Sequence, residues 1–206
     1  GSAWTEVADM NTAKNNLAGS GVDNTSALGF GGATGSPSSG TQSALTESWN
    51  GSSWTEVNDL NTARYVGGGF GTNTSALLAS GFNATTNVAN VETWNGTSWT
   101  EVGDVNTARG VYDGGMGSNS TAGLIASGLN YPGSPYYANV ESWNGSAWTE
   151  TTDLNTARAR ISSAGTQTSG LVFGGEIAPG RTAITELWNG SAWTETTNLS
   201  TARGEA

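Results

Sequence analysis

Carboxylates are the most abundant ionisable groups in this chain. It has 17 Asp and Glu, no histidine and no cysteine among 206 residues. The missing imidazole and thiol remove the usual general base, the commonest metal ligand, the thiolate nucleophile and the disulfide together. Paired carboxylates could still cleave a glycosidic bond, which needs two acids about 5–10 Å apart in one special pocket. Thirteen of the acids instead recur at fixed places: Glu6, Glu56, Glu101, Glu150 and Glu195; Glu47, Glu92, Glu141 and Glu186; Asp9, Asp59, Asp104 and Asp153. An acid repeated this way is expected to pair with a repeated Lys or Arg or to cap a turn. The remaining four, Asp23, Asp113, Glu176 and Glu205, form no visible constellation. No catalytic residue and no metal ligand set is assigned, no cofactor is expected, and the chain is read as a non-enzyme. Calcium is left open by the Asp and Asn loops, but no EF-hand spacing appears.

The tyrosines read differently. Tyr131, Tyr136 and Tyr137 lie in one proline-rich stretch, "LNYPGSPYYAN" (129–139). Tyrosine makes contacts to proteins and sugars at low entropic cost, and proline stiffens a loop that carries it. These three are the candidate ligand-binding residues. The competing reading is that their rings only pin the loop to the surface.

The elements that must position them follow from repetition. "WNGSSWTE" at 49–56 returns as "WNGTSWTE" (94–101) and "WNGSAWTE" (143–150, 188–195), with a truncated "GSAWTE" at 1–6. The second tryptophans, Trp4, Trp54, Trp99, Trp148 and Trp193, are separated by 50, 45, 49 and 45 residues. Each unit reads NTA(K/R) or STAR, a glycine-rich stretch, a small apolar run such as "ALLASG" (76–81), a variable loop, "NVETW" (90–94), Asn-Gly and "SWTEV" (98–102). None of these segments has a helical period, and all are short and bounded by Gly, Asn, Ser or Pro. The chain is therefore expected to be all-β, with antiparallel strands joined by turns. The units span 11–57, 61–102, 106–151 and 155–196 of a single domain, 1–206, with 1–7 left as a surplus tryptophan strand. All nine tryptophans belong to the repeat, which favours packing over exposed platforms.

Asn-Gly favours a two-residue hairpin turn. That turn at Asn50-Gly51 sets Glu47 opposite Trp54 and Ser48 opposite Ser53. A four-residue turn sets Glu47 opposite Glu56, a like-charge pair. The tight turn is the expected one. In both registers Trp49 and Trp54 share a face.

This order of residues resembles the kelch repeat of β-propellers. The matching positions are Lys14, Gly31-Gly32, Trp49 and Trp54; Arg64, Ser80-Gly81, Trp94 and Trp99; Arg109, Ser127-Gly128, Trp143 and Trp148; and Arg158, Gly174-Gly175, Trp188 and Trp193. The wording of the tryptophan hairpin also resembles Trp-rich repeat proteins of marine phage virions. The resemblance implies a β-propeller of four-stranded antiparallel blades, with four blades preferred and a five-bladed or strand-swapped assembly as the alternative. It departs from the kelch pattern where Ser-Gly replaces the diglycine and where tryptophan stands for the third-strand aromatic. A copper site of the galactose-oxidase kind is not expected without His or Cys. A sialidase-like arginine triad is not expected when Arg160 and Arg181 are the basic residues outside the repeat.

The net charge of −10 disfavours nucleic acid and anionic membrane as partners. No apolar run approaches the roughly 20 residues of a membrane helix. All four prolines, Pro37, Pro132, Pro135 and Pro179, fall in the variable second-to-third-strand loops, where function on repeat scaffolds concentrates. The expected function is a non-catalytic binding or structural module, a virion or tail adhesion domain recognising glycan or protein at a virion or extracellular surface. A polysaccharide hydrolase or lyase using channel carboxylates is one alternative, and a scaffold or fragment of a longer repeat array is another. Self-association through the surplus N-terminal strand is a further expectation. Compartment, ligand and oligomeric state are not legible.

Overall fold

Strands with glycine at alternate positions pack only where another backbone comes close, and this explains how the units open. The computed structural model describes residues 3–35 and 40–204. Pro37, Glu205 and Gly1-Ser2 lie outside the described residues. Among the described residues there is no helix. The chain forms four four-stranded antiparallel sheets, one per unit, each with its strands in chain order. Sheet 1 holds Ala18–Asp23, Ser26–Phe30, Thr46–Trp49 and Trp54–Val57. Sheet 2 holds Gly68–Gly71, Ala76–Ala79, Val91–Trp94 and Trp99–Val102. Sheet 3 holds Gly115–Asn119, Ala122–Ala126, Val140–Trp143 and Trp148–Glu150. Sheet 4 holds Ser162–Gly165, Gly170–Phe173, Thr185–Trp188 and Trp193–Glu195. Two small ribbons, Ala33–Thr34 with Thr41–Gln42 and Glu176–Ile177 with Gly180–Arg181, extend the variable loops.

The hairpin register corrects the tight-turn expectation. Trp49 pairs with Trp54 and Glu47 with Glu56, so the turn has four residues. Sheets 2, 3 and 4 repeat this register. The turn is closed by its asparagine: Asn50 Oδ1 accepts the N–H groups of Ser52 and Ser53 at 3.0 and 2.9 Å. The like-charge pair costs little because the two carboxylates lead different lives. Glu47 is buried and meets Lys14 Nζ at 3.4 Å, while Glu56 is exposed to water. The register also brings the indoles together, with Trp49 and Trp54 ring centroids 5.4 Å apart and the ring planes tilted by 43°.

Each sheet is locked by one buried ion pair. Arg64–Glu92 and Arg109–Glu141 close at 2.6 Å and Arg158–Glu186 at 2.5 Å. Removing such charges from water is costly unless every lone pair and proton is used; around Arg64–Glu92 the neighbours use them, whereas Arg109 Nη2 and Arg158 Nε and Nη2 find no partner among the described residues. Glu92 also accepts the N–H groups of Asn61 and Thr62 at 2.7 and 3.2 Å. Arg64 donates to the carbonyls of Thr62 and Ser80 at 2.9 and 3.1 Å. Burial pushes the Arg64 guanidinium down from its ordinary value, and Glu92 opposes that shift.

Three apolar clusters join sheet 1 to 2, 2 to 3 and 3 to 4. Trp94 and Trp99 lie against Leu28 and Phe30, Trp143 and Trp148 against Leu77 and Ala79, and Trp188 and Trp193 against Leu124 and Ala126. Seven tryptophans are buried and Trp54 is half-buried, so the indoles act as packing groups. Trp4 departs from that pattern. It is fully exposed, and the described residues of the surplus segment, 3–7, form no strand.

The Ser-Gly variants of the diglycine have a physical cause. The first residue of the pair has positive φ in every unit: Gly31 66°, Ser80 60°, Ser127 70° and Gly174 66°. Serine is strained there, but its hydroxyl is used. Ser80 Oγ lies 2.8 Å from the Arg109 carbonyl and accepts the Arg109 N–H at 2.9 Å.

Candidate binding surface around the central cavity

The first strands of all four sheets line one cavity of about 710 Å³. Glycine makes the narrow wall possible. A Cβ on Gly115 would stand 2.5 Å from the Gly69 carbonyl oxygen, and one on Gly69 would stand 2.8 Å from the Ala18 Cβ. The wall therefore offers backbone and a few polar groups, among them Ser20, Asp23, Asp113, Ser162 and Ser163. Asp23 is committed to a turn, accepting the Thr25 hydroxyl at 2.7 Å and its N–H at 2.9 Å. Those bonds hold its carboxyl below the ordinary range, the hydroxyl contributing most.

Asp113 is different. It also lines a second, smaller cavity of about 230 Å³ with Asn16, Leu17, Val66, Gly67, Tyr112, Arg160 and Ile161, which again draws on every unit. Its carbonyl accepts the Ser163 hydroxyl at 2.5 Å, tying sheet 3 to sheet 4. The residue is exposed at the cavity, yet the surrounding sheets desolvate its carboxyl enough to push it above its ordinary value.

From this second cavity a line of aromatic rings runs outward. The Arg160 guanidinium pairs with Glu176 at 2.8 Å and lies 5.4 Å from the Tyr112 ring centroid. Tyr112 stands 6.3 Å from Tyr131, which contacts Phe82 at 4.9 Å and Tyr65 at 5.5 Å. Burial raises the Tyr65 hydroxyl above its ordinary value, helped by Tyr131. Amides frame the edge: Asn87 Oδ1 accepts the Tyr131 N–H at 3.3 Å, and Asn87 Nδ2 donates to Asn130 Oδ1 at 2.6 Å.

The three tyrosines expected to act together are thus divided. Tyr131 joins the ring line. Tyr136 is half-buried and lines a separate hollow of about 340 Å³ with Glu176–Arg181. Tyr137 is half-buried, with its backbone N–H on the Gly128 carbonyl at 2.8 Å. Tyr65, Phe82, Tyr112 and Arg160 were not singled out as ligand-binding residues. Tyr65 and Tyr112 are the two tyrosines outside the 129–139 stretch. Tyr65 directly follows a TAR triplet and Tyr112 stands three residues after one, and that placement was the available signal. The leftover acids are also not scattered: Asp23 and Asp113 share the larger cavity, and Glu176 reaches the smaller one through Arg160. Among the described residues no cluster of three acids could hold a metal ion.

No protein-family profile and no curated protein matches the chain significantly. A solved structure described as "Structure of YjhT" superposes over 98% of this chain and 76% of that one. The TM-score is 0.79 at 13% sequence identity, a likeness of fold alone.

Proposed function

We propose that the chain is a four-bladed, kelch-like β-propeller that works as a non-catalytic binding module, an adhesion domain of a phage virion or tail that takes a glycan. The four sheets would be the blades, and the buried Arg–Glu pairs with the glycine and tryptophan positions support the kelch likeness. The observation that carries the binding reading is the line Tyr65–Phe82–Tyr131–Tyr112 ending on the Arg160–Glu176 pair. Sugars present apolar C–H faces and hydroxyls side by side. A row of half-exposed tyrosines packed on buried Phe82 and bordered by amides, a guanidinium and a carboxylate matches both. A ligand seated there would lie over the mouth of the smaller cavity. A glycan array followed by calorimetry tests this. A hit is expected to weaken at least tenfold in Tyr112→Ala and Tyr131→Ala, while Trp4→Ala leaves it unchanged. An array without a hit, or a hit indifferent to both tyrosines, would leave the structural-scaffold reading.

A further inference from the structure

The three seams between sheets are built from one pattern. In the first, Leu28 and Phe30 of sheet 1 receive Trp94 and Trp99 of sheet 2, with Phe30 and Trp99 ring centroids 4.9 Å apart. Trp99 Nε1 donates to Thr46 Oγ1 at 3.0 Å, and buried Leu60 completes the cluster. The other two seams use Leu77 with Ala79 and Leu124 with Ala126 in the same places.

Sheet 4 carries this acceptor once more. By repeat position Leu171 stands for Leu28, Phe173 for Phe30, Thr185 for Thr46 and Leu199 for Leu60. The combination of phenylalanine and threonine occurs in sheets 1 and 4 and not in sheets 2 and 3. Yet no buried cluster joins sheet 4 to sheet 1 among the described residues. Leu171, Phe173 and Leu199 are half-buried where their counterparts in sheet 1 are buried, and neighbouring Leu187 is 47% exposed. The complementary hairpin is also open. Trp54 on sheet 1 is half-buried, whereas Trp99, Trp148 and Trp193 are covered by a preceding sheet.

We infer that the open face of sheet 4 receives the Trp49–Trp54 hairpin of a second copy, joining chains head to tail through a seam of the kind the fold already makes three times. One exchange is required. Leu199–Gly204 lies on sheet 4, where the Arg203 carbonyl accepts the Gly175 N–H at 2.7 Å, as the Arg64 carbonyl accepts that of Gly32 at 2.9 Å. Met10–Lys14 of the arriving copy holds the same repeat position. Lys14 is anchored to its own sheet by buried Glu47, while the Arg203 side chain is exposed and, among the described residues, bonds within its own segment, to the Thr201 carbonyl at 3.4 Å. Leu199–Gly204 is therefore the segment that yields, and Lys14 takes over its backbone bond. An interface in which each copy contributes a different face is heterologous, and so it can continue from copy to copy.

Analytical ultracentrifugation of the full chain tests this. The mass is expected to exceed that of one chain and to rise with concentration, more so in high salt, which screens the repulsion between chains of charge −10. Phe173→Glu and Trp54→Glu, each spoiling one face, are expected to run as monomers. Their mixture, which leaves one competent face on each, is expected to give a 1:1 complex and nothing larger. Leu171→Glu and Ala27→Glu, on the same two faces, replace either variant if it fails to fold. A wild-type chain that stays monomeric at every concentration overturns the inference, as do variants that associate like wild type or a mixture that stays monomeric.

Discussion

At the scale of single residues, the buried ion pairs decide more than their number suggests. Glu92 holds Arg64 and two backbone N–H groups in a place without water. Glu92→Ala strands a buried guanidinium, and denaturant unfolding is expected to show a loss of about 3–5 kcal/mol. Replacing both partners by apolar groups, as in Arg64→Met with Glu92→Leu, is expected to cost clearly less, because no charge is left unpaired. Asp113 gives the opposite sign. Its folded carboxyl lies above the ordinary 3.8, so the folded state holds its proton more tightly than the unfolded chain does. Stability from this group is greatest at low pH and declines as pH rises from 3.8 through the raised value. Asp113→Asn is therefore expected to melt higher than wild type at neutral pH. That advantage should shrink to nothing as the pH drops to 3.8 and below.

At the scale of elements, the seams differ in how they treat the indole N–H. Trp99 Nε1 finds Thr46, but valine stands at that repeat position in the next two sheets, Val91 and Val140, and the indole N–H groups of Trp148 and Trp193 have no acceptor among the described residues. Valine and threonine share a shape. Val91→Thr is thus expected to add a hydrogen bond worth about 0.5–1.5 kcal/mol, seen as a raised melting temperature. Strand positions were legible because Trp, Asn-Gly and the TAR triplet recur at fixed offsets. The register was not. Glu47 facing Glu56 looked unfavourable until the chain placed Lys14, distant in sequence, beside Glu47. Local pairing rules see neighbours on the ladder and miss partners that arrive from the preceding loop. The ring line was half legible for a similar reason. Tyr131 stood out in a proline-rich loop, whereas Tyr65 and Tyr112 hid in the glycine-rich openings of their units, and only the folded sheets bring Tyr65, Phe82 and Tyr112 to Tyr131.

At the scale of the whole molecule, the four sheets are near copies whose differences fall at the cavity and the loops. The glycine wall keeps the first strands close enough for one cavity to touch every unit. Its geometry leaves little room for added side chains, so variation is pushed outward to Tyr112, Tyr131 and Arg160. Apolar seams join the copies in sequence and leave one face at each end of the series open, so a chain of this design is both a finished surface and a reusable part.

The paired indoles have an optical consequence. Every sheet holds one tryptophan pair with ring centroids 5.1–5.5 Å apart. Chromophores that close share their excited states, so each hairpin contributes a split circular-dichroism band that vanishes when its turn opens. The molecule thereby carries a built-in gauge, summed over its four hairpins, that reports the integrity of the array without a label.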